Sequence, residues 1–220
     1  MDVKTALEKR KSTRAFLNKE VPITTVNAIL EQAKTAPSGV NTQPWKVAVL
    51  SGQRKKDLEQ KMESEFRAGN KGVMDYQYYP EQWEAEYKER RKACGLLMYS
   101  TLQIKREDKQ RQLDQWAANY RAFDAPIMLL FFIDKIMEKG SYVDYGMFLQ
   151  SIMLSAVEHG LATCPQAALA EYPEIVKKEL GYEDQVLICG MALGYEDTTK
   201  DVNNYRTGRE DLDKLVRYFS

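Results

Sequence analysis

The sequence has few of the residues that build metal centres and disulfide frameworks. Among its 220 residues are three cysteines and one histidine. Cys94, Cys164 and Cys189 lie far apart and form no C-x-x-C pair, so we expect neither a disulfide framework nor a metal site. This cysteine usage is typical of proteins that work in a reducing cytoplasm, and we predict that location.

Long apolar stretches and net charge are also absent. The longest apolar run, residues 125–133, has about nine residues, whereas a membrane-spanning helix needs roughly 20. The 32 basic residues balance the 32 acidic residues, so no overall field attracts nucleic acid or an anionic membrane. We therefore expect no membrane and no nucleic-acid partner, and any phosphate has to be bound by a local cluster.

Three catalytic fingerprints are missing from the sequence. It contains no G-x-G-x-x-G, no Walker loop and no nucleophile elbow, which argues against a classical nicotinamide-binding domain, a nucleotide triphosphatase and an α/β-hydrolase. The composition does provide a core, since 44% of the residues are hydrophobic and 10% are aromatic. A chain of this length and composition is typical of one globular domain.

The first segment with candidate chemistry is RKSTRAF, which begins at Arg10. If the segment is extended, Arg10, Ser12 and Arg14 point to the same side. Two guanidinium forks around a hydroxyl suit a phosphate in geometry and in charge. A solvated basic helix end that complements the helix dipole is the alternative that these residues leave open.

The second segment is APSGVNTQPW, residues 36–45. Its two prolines favour an extended or turned backbone, and we assign to Gly39 a geometry that is closed to other residues. If the part after Gly39 is extended, Asn41, Gln43 and Trp45 lie on one side and their polar groups need partners. An ordinary polar connection between elements is the alternative.

Apolar periodicity and the positions of glycine and proline predict the order of the elements. Strands are expected at 45–50, 127–133 and 186–193, with a short extended turn at 163–168. Helices are expected after Asp2, before Pro37, at 53–68, after 87, and at 108–121, 142–159 and 172–180. His159 lies in the last turn of its helix, where a favourable interaction with the helix dipole is enough to explain its presence. We therefore do not assign it as a catalytic base.

Aromatic residues are concentrated in residues 74–87, MDYQYYPEQWEAEY. Tyr76, Tyr78, Tyr79 and Trp83 would cover a flat ligand or a partner subunit, or would instead fasten an insertion to its own domain. Gly190 lies inside a predicted strand, a position that often marks close approach of a backbone or a ligand.

Five segments of the sequence occur in a characteristic order, namely RKSTRAF, APSGVNTQPW, DYGMFLQSIMLSAVEHGLATCPQ, VLICGMALGY and a late RTGR. Together they resemble the FMN-dependent nitroreductase family, and most of all its longer, nitrobenzoate-reductase-type members. The resemblance covers nearly the whole chain except a helical insertion at about residues 69–121. It implies an α+β fold, a three-layer α/β/α sandwich with a mixed, mainly antiparallel central sheet. It also implies one domain over residues 1–220 and an intertwined homodimer with FMN at the interface.

The resemblance assigns residues to the two ends of the FMN. Arg10, Ser12 and Arg209 would hold the phosphate, with Lys11 and Arg206 nearby, and Arg14 would lie near the ribityl chain or the flavin N1 and C2 oxygen. Ser38, Gly39 and Asn41 of the other subunit would touch the isoalloxazine. Pro165, Gln166 and Ala167 would pack along the ring, with a backbone N–H reaching N5, and the tail from Asp211 would cross to the partner.

The implied reaction is a ping-pong hydride transfer. NAD(P)H would give a hydride to FMN N5 and leave, and a nitrobenzoate-like or quinone-type acceptor would then take two electrons. No side chain is expected to act as a catalytic residue, because the cofactor carries the chemistry. The tyrosine-rich stretch of the insertion would form the substrate lid. Reductive dehalogenation or enone reduction on the same fold, and a non-catalytic FMN-binding sensor or store, are the alternatives.

Overall fold

A four-stranded sheet forms the centre of the molecule in the computed structural model, which describes residues 1–220. The strands are β1 (Lys46–Leu50), β2 (Ile127–Asp134), β3 (Ala162–Gln166) and β4 (Gln185–Gly194), in the order β1-β2-β4-β3. All neighbouring strands are antiparallel. The only parallel pairing is the isolated bridge between Ser12 and Thr163, so the mixed character of the sheet is limited to this one contact.

Eight α-helices surround the sheet. They are α1 (Val3–Lys9), α2 (Ile23–Ala33), α3 (Gly52–Arg67), α4 (Ala85–Thr101), α5 (Lys109–Ala117), α6 (Lys139–Glu158), α7 (Pro173–Leu180) and α8 (Leu212–Leu215). Short 3₁₀ turns occur at Gly39–Asn41, Ala118–Asp124, Ala168–Ala170 and Asp201–Asn203. No helix has both the length and the apolar character that crossing a membrane requires.

The sequence IMLLFFI of β2 is buried on both faces because side chains alternate along a strand. Leu129 and Phe131 belong to the core under α2 and α6, whereas Met128 and Leu130 belong to the core under α3 and α7. Two helical layers therefore enclose the sheet, which confirms the predicted α+β sandwich.

Several predicted helix ends are confirmed. The Asp2 carboxylate accepts a hydrogen bond from the Thr5 N–H at 2.9 Å and caps α1. Gly181 ends α7 with φ of 73°, and Gly160 follows α6 with φ of 70°, as helix C-termini favour. At Gly190, an added Cβ would lie 2.4 Å from Leu169 Cδ1, so a core side chain, and no ligand, explains this glycine.

Two sequence predictions of local structure are wrong. Residues 163–168 form the strand β3 and the start of a 3₁₀ turn, where a short extended turn was expected. The strand tolerates Pro165 because β3 is at the edge of the sheet. The helix expected at 108–121 ends at Ala117, and Ala122 and Phe123 in the following 3₁₀ turn have φ of 49° and 53°.

Candidate active site

A basic cavity of about 570 Å³ lies where the two ends of the chain meet. Four of its lining residues follow α1 and four precede α8; the predicted members are Arg10, Lys11, Ser12, Arg14, Arg206 and Arg209. The fold thus brings together six predicted residues that are far apart in the sequence. The rest of the wall consists of Leu7, Cys94, Gln150, Tyr205 and Thr207.

The arginines of the basic cavity have no carboxylate partner. Arg14 donates to the Ser12 carbonyl and the Tyr205 hydroxyl, while Arg206 and Arg209 donate only to carbonyls and a threonine hydroxyl. Burial lowers the pKa of Arg10, and the nearby charges of Arg209 and Arg206 lower it further. Such a cluster repels itself and is stabilised by a bound anion.

Lys11 differs from these arginines because its charge is already paired. Its Nζ lies 2.6 Å from Glu196 Oε1 and donates to the Asn203 carbonyl at 2.6 Å. The lysine therefore ties the N-terminal segment to the later one, and only part of its charge is left for a ligand.

Asn203 holds the wall of the basic cavity in place, and sequence reasoning missed it. Its buried side chain accepts from the Arg14 N–H at 2.8 Å and donates to the Ala15 carbonyl at 2.8 Å and the Asp197 carbonyl at 2.9 Å. A lone asparagine in a loop gives no sequence signal of such a role, because all three contacts depend on the folded chain.

Strand β3 leads from the basic cavity to a second cavity. The Thr163 residue pairs with Ser12, and its carbonyl accepts from the Thr13 N–H at 2.9 Å. The strand ends at Gln166, which lies roughly 10 Å from Thr163 because a strand rises about 3.3 Å per residue. The strand therefore joins a neighbour of the basic cavity to a residue of the aromatic cavity.

The second cavity, called here the aromatic cavity, has a volume of about 350 Å³. Its lining contains the three predicted residues at the end of β3, namely Pro165, Gln166 and Ala167, and residues of the insertion, α6 and β4, among them Tyr76, Tyr78, Tyr142, Tyr145, Ile188 and Cys189. Of the four aromatic residues singled out in the insertion, Tyr76 and Tyr78 line this cavity, and Tyr79 and Trp83 do not.

The polar groups of the aromatic cavity are neutral, with one acceptor unsatisfied. Burial raises the pKa of Tyr76 and of Tyr145 above the ordinary tyrosine value, so both phenols stay protonated. The Gln166 side chain is buried and donates to Asn119, but its Oε1 has no hydrogen-bond partner. A ligand that brings a donor would satisfy this atom.

The loop with Ser38, Gly39 and Asn41 contributes to neither cavity of its own chain. The Gly39 N–H donates to Asp144 Oδ1 at 3.2 Å, and the Ser38 hydroxyl accepts from the Gln43 N–H at 3.0 Å. These contacts fix the loop against α6.

The backbone of this loop is turned, which is one of the two forms that its prolines predict. Positive φ angles occur at Val40 (45°), Asn41 (60°) and Gln43 (48°), and not at Gly39, so the special geometry assigned to the glycine occurs at its neighbours instead. Since the part after Gly39 is not extended, the condition for a common side of Asn41, Gln43 and Trp45 is not met. Trp45 instead stacks on Phe148 with ring centroids 4.7 Å apart. The Val40 side chain is 98% exposed.

Comparisons with known proteins agree over the whole chain. The family model described as "Nitroreductase family" matches residues 7–195. The 4-nitrobenzoate reductase of Pseudomonas putida is 36% identical over 210 residues, which are 95% of this chain and 92% of that protein. The FMN- and NADPH-dependent nitroreductase NfnB from sphigopyxis sp. strain HMH superposes with a TM-score of 0.97 at 36% identity, and covers 100% of both chains.

The NfnB nitroreductase of Mycobacterium smegmatis, solved in complex with NADPH, gives a TM-score of 0.93 at 33% identity over 100% of both chains. The superpositions extend over both cavities, and the family model covers the aromatic cavity and the N-terminal part of the basic cavity. This chain belongs to the nitroreductase family.

Proposed function

We propose that the protein is a flavin-dependent nitroreductase that binds the FMN phosphate in the basic cavity and the flavin ring in the aromatic cavity, and uses NADPH as hydride donor. The observation that carries the proposal is the set of arginines without carboxylate partners at one end of β3, together with the neutral aromatic cavity at its other end. FMN has a matching form, since a phosphate and a flat ring are joined by a ribityl chain.

The phosphate end fits the basic cavity. A phosphate monoester carries nearly two negative charges at neutral pH. The Arg10 guanidinium makes no ion pair within the chain and repels Arg206 and Arg209, so it offers a fork of donors to this charge. We assign Arg10, Ser12 and Arg209 to the phosphate, with Arg206 beside them and Lys11 in a smaller role.

The ring end fits the aromatic cavity. Pro165, Gln166 and Ala167 would lie along the isoalloxazine, and the free Gln166 Oε1 can accept from a ring N–H. Arg14 also lines the basic cavity, and we assign it to the ribityl chain or the near edge of the ring, where its charge would offset negative charge on the flavin. When bound, FMN supplies the two-electron chemistry by accepting a hydride from NADPH at N5 and passing it to a nitroaromatic or quinone acceptor.

The chain itself binds, orients and shields the reactants. The tyrosines and Cys189 of the aromatic cavity stay protonated, because burial raises the pKa of Cys189 to about 12. None of them is poised to give or take a proton at neutral pH, which supports a reaction without a catalytic side chain. Donor and acceptor would use the same cavity in turn.

A homodimer would complete the site. Ser38, Gly39 and Asn41 are accessible and lie outside both cavities of their own chain, so we assign them to the flavin of a partner subunit. Exposed apolar side chains support this, with Val40 at 98% and Phe219 at 92% exposure. The tail from Asp211 would pack on the partner.

Three further assignments, of the domain, the lid and the cellular location, complete the proposal. Residues 1–220 form one domain, and the insertion at about 69–121, which carries α4 and α5, acts as the substrate lid. The cytoplasm is its location, since the cysteines are all free.

The test is steady-state oxidation of NADPH with 4-nitrobenzoate as acceptor. We expect turnover and parallel double-reciprocal lines, as a ping-pong reaction requires. Flavin-bound protein that NADPH does not reduce would favour a sensor, a store or a dehalogenase with a separate reductase. Protein that binds no flavin would refute the proposal.

A further inference from the structure

Strand β4 carries a bulge beside the aromatic cavity. On β2, Phe131 pairs with Cys189 and Phe132 pairs with Leu187, so Ile188 has no partner in this pairing. On the other side, β3 ends at Gln166, which pairs with Gly190. Backbone groups of Leu187 and Ile188 therefore lie beyond the end of β3. Bulges leave such groups unpaired and often occur next to active sites.

Two consecutive residues of the insertion supply the missing partners. The Asp75 carboxylate accepts from the Leu187 N–H at 2.8 Å, and the Tyr76 hydroxyl donates to the Ile188 carbonyl at 2.7 Å. The other Asp75 oxygen lies 2.8 Å from Lys177 Nζ, in an ion pair whose side chains are only 14% and 9% exposed. We call Asp75, Tyr76 and Lys177 the clasp.

The chain before the clasp is also held tightly. The Tyr172 hydroxyl donates to the Asn70 carbonyl at 2.8 Å. At Gly72, an added Cβ would lie 1.7 Å from the Glu171 carbonyl oxygen, so the two backbones touch directly. The insertion therefore leaves the domain along one fixed path that ends at the clasp.

Beyond the clasp, the aromatic rings pack on one another and are partly exposed. The Tyr76 ring packs on Tyr142 at 5.2 Å and on Tyr78 at 6.1 Å between centroids. Tyr78 and Tyr79 are 47% and 53% exposed. Tyr76 therefore lies at the boundary between the part of the insertion that is bonded to the domain and the part that is exposed.

We propose that the clasp positions the tyrosine wall of the aromatic cavity and thereby sets how well a flat acceptor ring binds. The clasp residues are positioning residues: Asp75 and Lys177 are not in the cavity lining, and Tyr76 acts through the orientation of its ring. A rigid wall keeps the acceptor ring parallel to the reacting surface, a geometry on which transfer depends strongly. This inference rests on the proposed nitroreductase function.

The experiment compares two acceptors at saturating NADPH. Tyr76→Phe keeps the ring and leaves the Ile188 carbonyl unpaired. The double variant Asp75→Asn with Lys177→Met removes the ion pair without leaving a buried unpaired charge. For each variant we expect the KM for 4-nitrobenzoate to rise about tenfold, the ratio that corresponds to the loss of one buried hydrogen bond. For the double variant, whose two residues line neither cavity, the rate with ferricyanide, which does not stack on the wall, and the FMN content should stay as in the wild type.

The matched control is Glu59→Gln, which breaks the buried ion pair with Lys55 on α3, away from both cavities. Its KM for 4-nitrobenzoate should not change. An unchanged KM in the clasp variants would overturn the inference, as would a parallel fall of both acceptor rates, FMN content and Tm, which indicates a structural role alone. A wild-type protein that reduces ferricyanide but not 4-nitrobenzoate would refute the proposed function, and this inference with it.

Discussion

Replacing Arg10 with methionine should separate flavin retention from folding. The Arg10 guanidinium makes no ion pair or side-chain hydrogen bond within the chain, and burial together with the charges of Arg209 and Arg206 lowers its pKa. Methionine keeps much of the apolar stem and removes the repelling charge. The free energy of unfolding of the apoprotein should therefore stay the same or rise.

The effect on FMN should have the opposite sign. A forked guanidinium gives a phosphate two charge-assisted hydrogen bonds, each worth about 1.5–3 kcal/mol. Their loss amounts to about 3–6 kcal/mol, which is a rise in Kd of roughly 10²- to 10⁴-fold.

The assay is a fluorescence titration of apoprotein with FMN, alongside thermal unfolding of the same samples. Arg106→Met is the matched control, because Arg106 is exposed and lines neither cavity. Its Kd should equal that of the wild type. An Arg10→Met protein with an unchanged Kd, or an apoprotein that loses stability and FMN binding together, would refute the assignment of Arg10 to the phosphate.

Other predictions concern the interface, pH and packing. Val40→Asp should dissociate the dimer and release FMN, since Val40 is 98% exposed with φ of 45°, a conformation that Asp tolerates; a monomer that stays yellow in size-exclusion chromatography would contradict this. Burial raises the pKa of Glu59 from 4.5 to about 7 despite Lys55, so the folded state binds a proton that the unfolded chain has lost. The free energy of unfolding should therefore fall by up to ~3 kcal/mol as the pH rises from 4.5 to about 7. Glu59→Gln should flatten the Tm–pH profile over this range. Gly190→Ala should cost about 1–3 kcal/mol, because its Cβ would meet Leu169 Cβ at 2.7 Å. Gly95→Ala in α4, with nothing within 4 Å, should instead stabilise by up to about 1 kcal/mol in the same unfolding assay.

The central strands could be predicted from sequence, whereas β3 could not. β2 and β4 are buried on both faces and read as continuous apolar runs, which is a strong local signal. The short strand β3 contains Pro165, and only its pairing with β4 makes it a strand. The same reason explains the loop at Val40, where contacts with α6 impose positive φ angles on residues that do not favour them.

The basic cavity was also predictable in part. The family resemblance predicts that Arg10 and Arg209 belong to one site, and the fold brings them together in one cavity. The contact of Asn203 with Arg14 and that of Asp75 with Leu187 join residues more than 100 positions apart. Nothing in their local sequence marks them, because their roles arise only from the tertiary structure.

The most direct test of the central claim is an anaerobic absorbance spectrum of the purified protein, followed by NADPH and then by 4-nitrobenzoate. We expect a flavin band near roughly 450 nm that NADPH bleaches and the nitro compound restores. A bleached band that 4-nitrobenzoate leaves unchanged would contradict nitroreductase activity, and a protein without the band would contradict the flavin site itself.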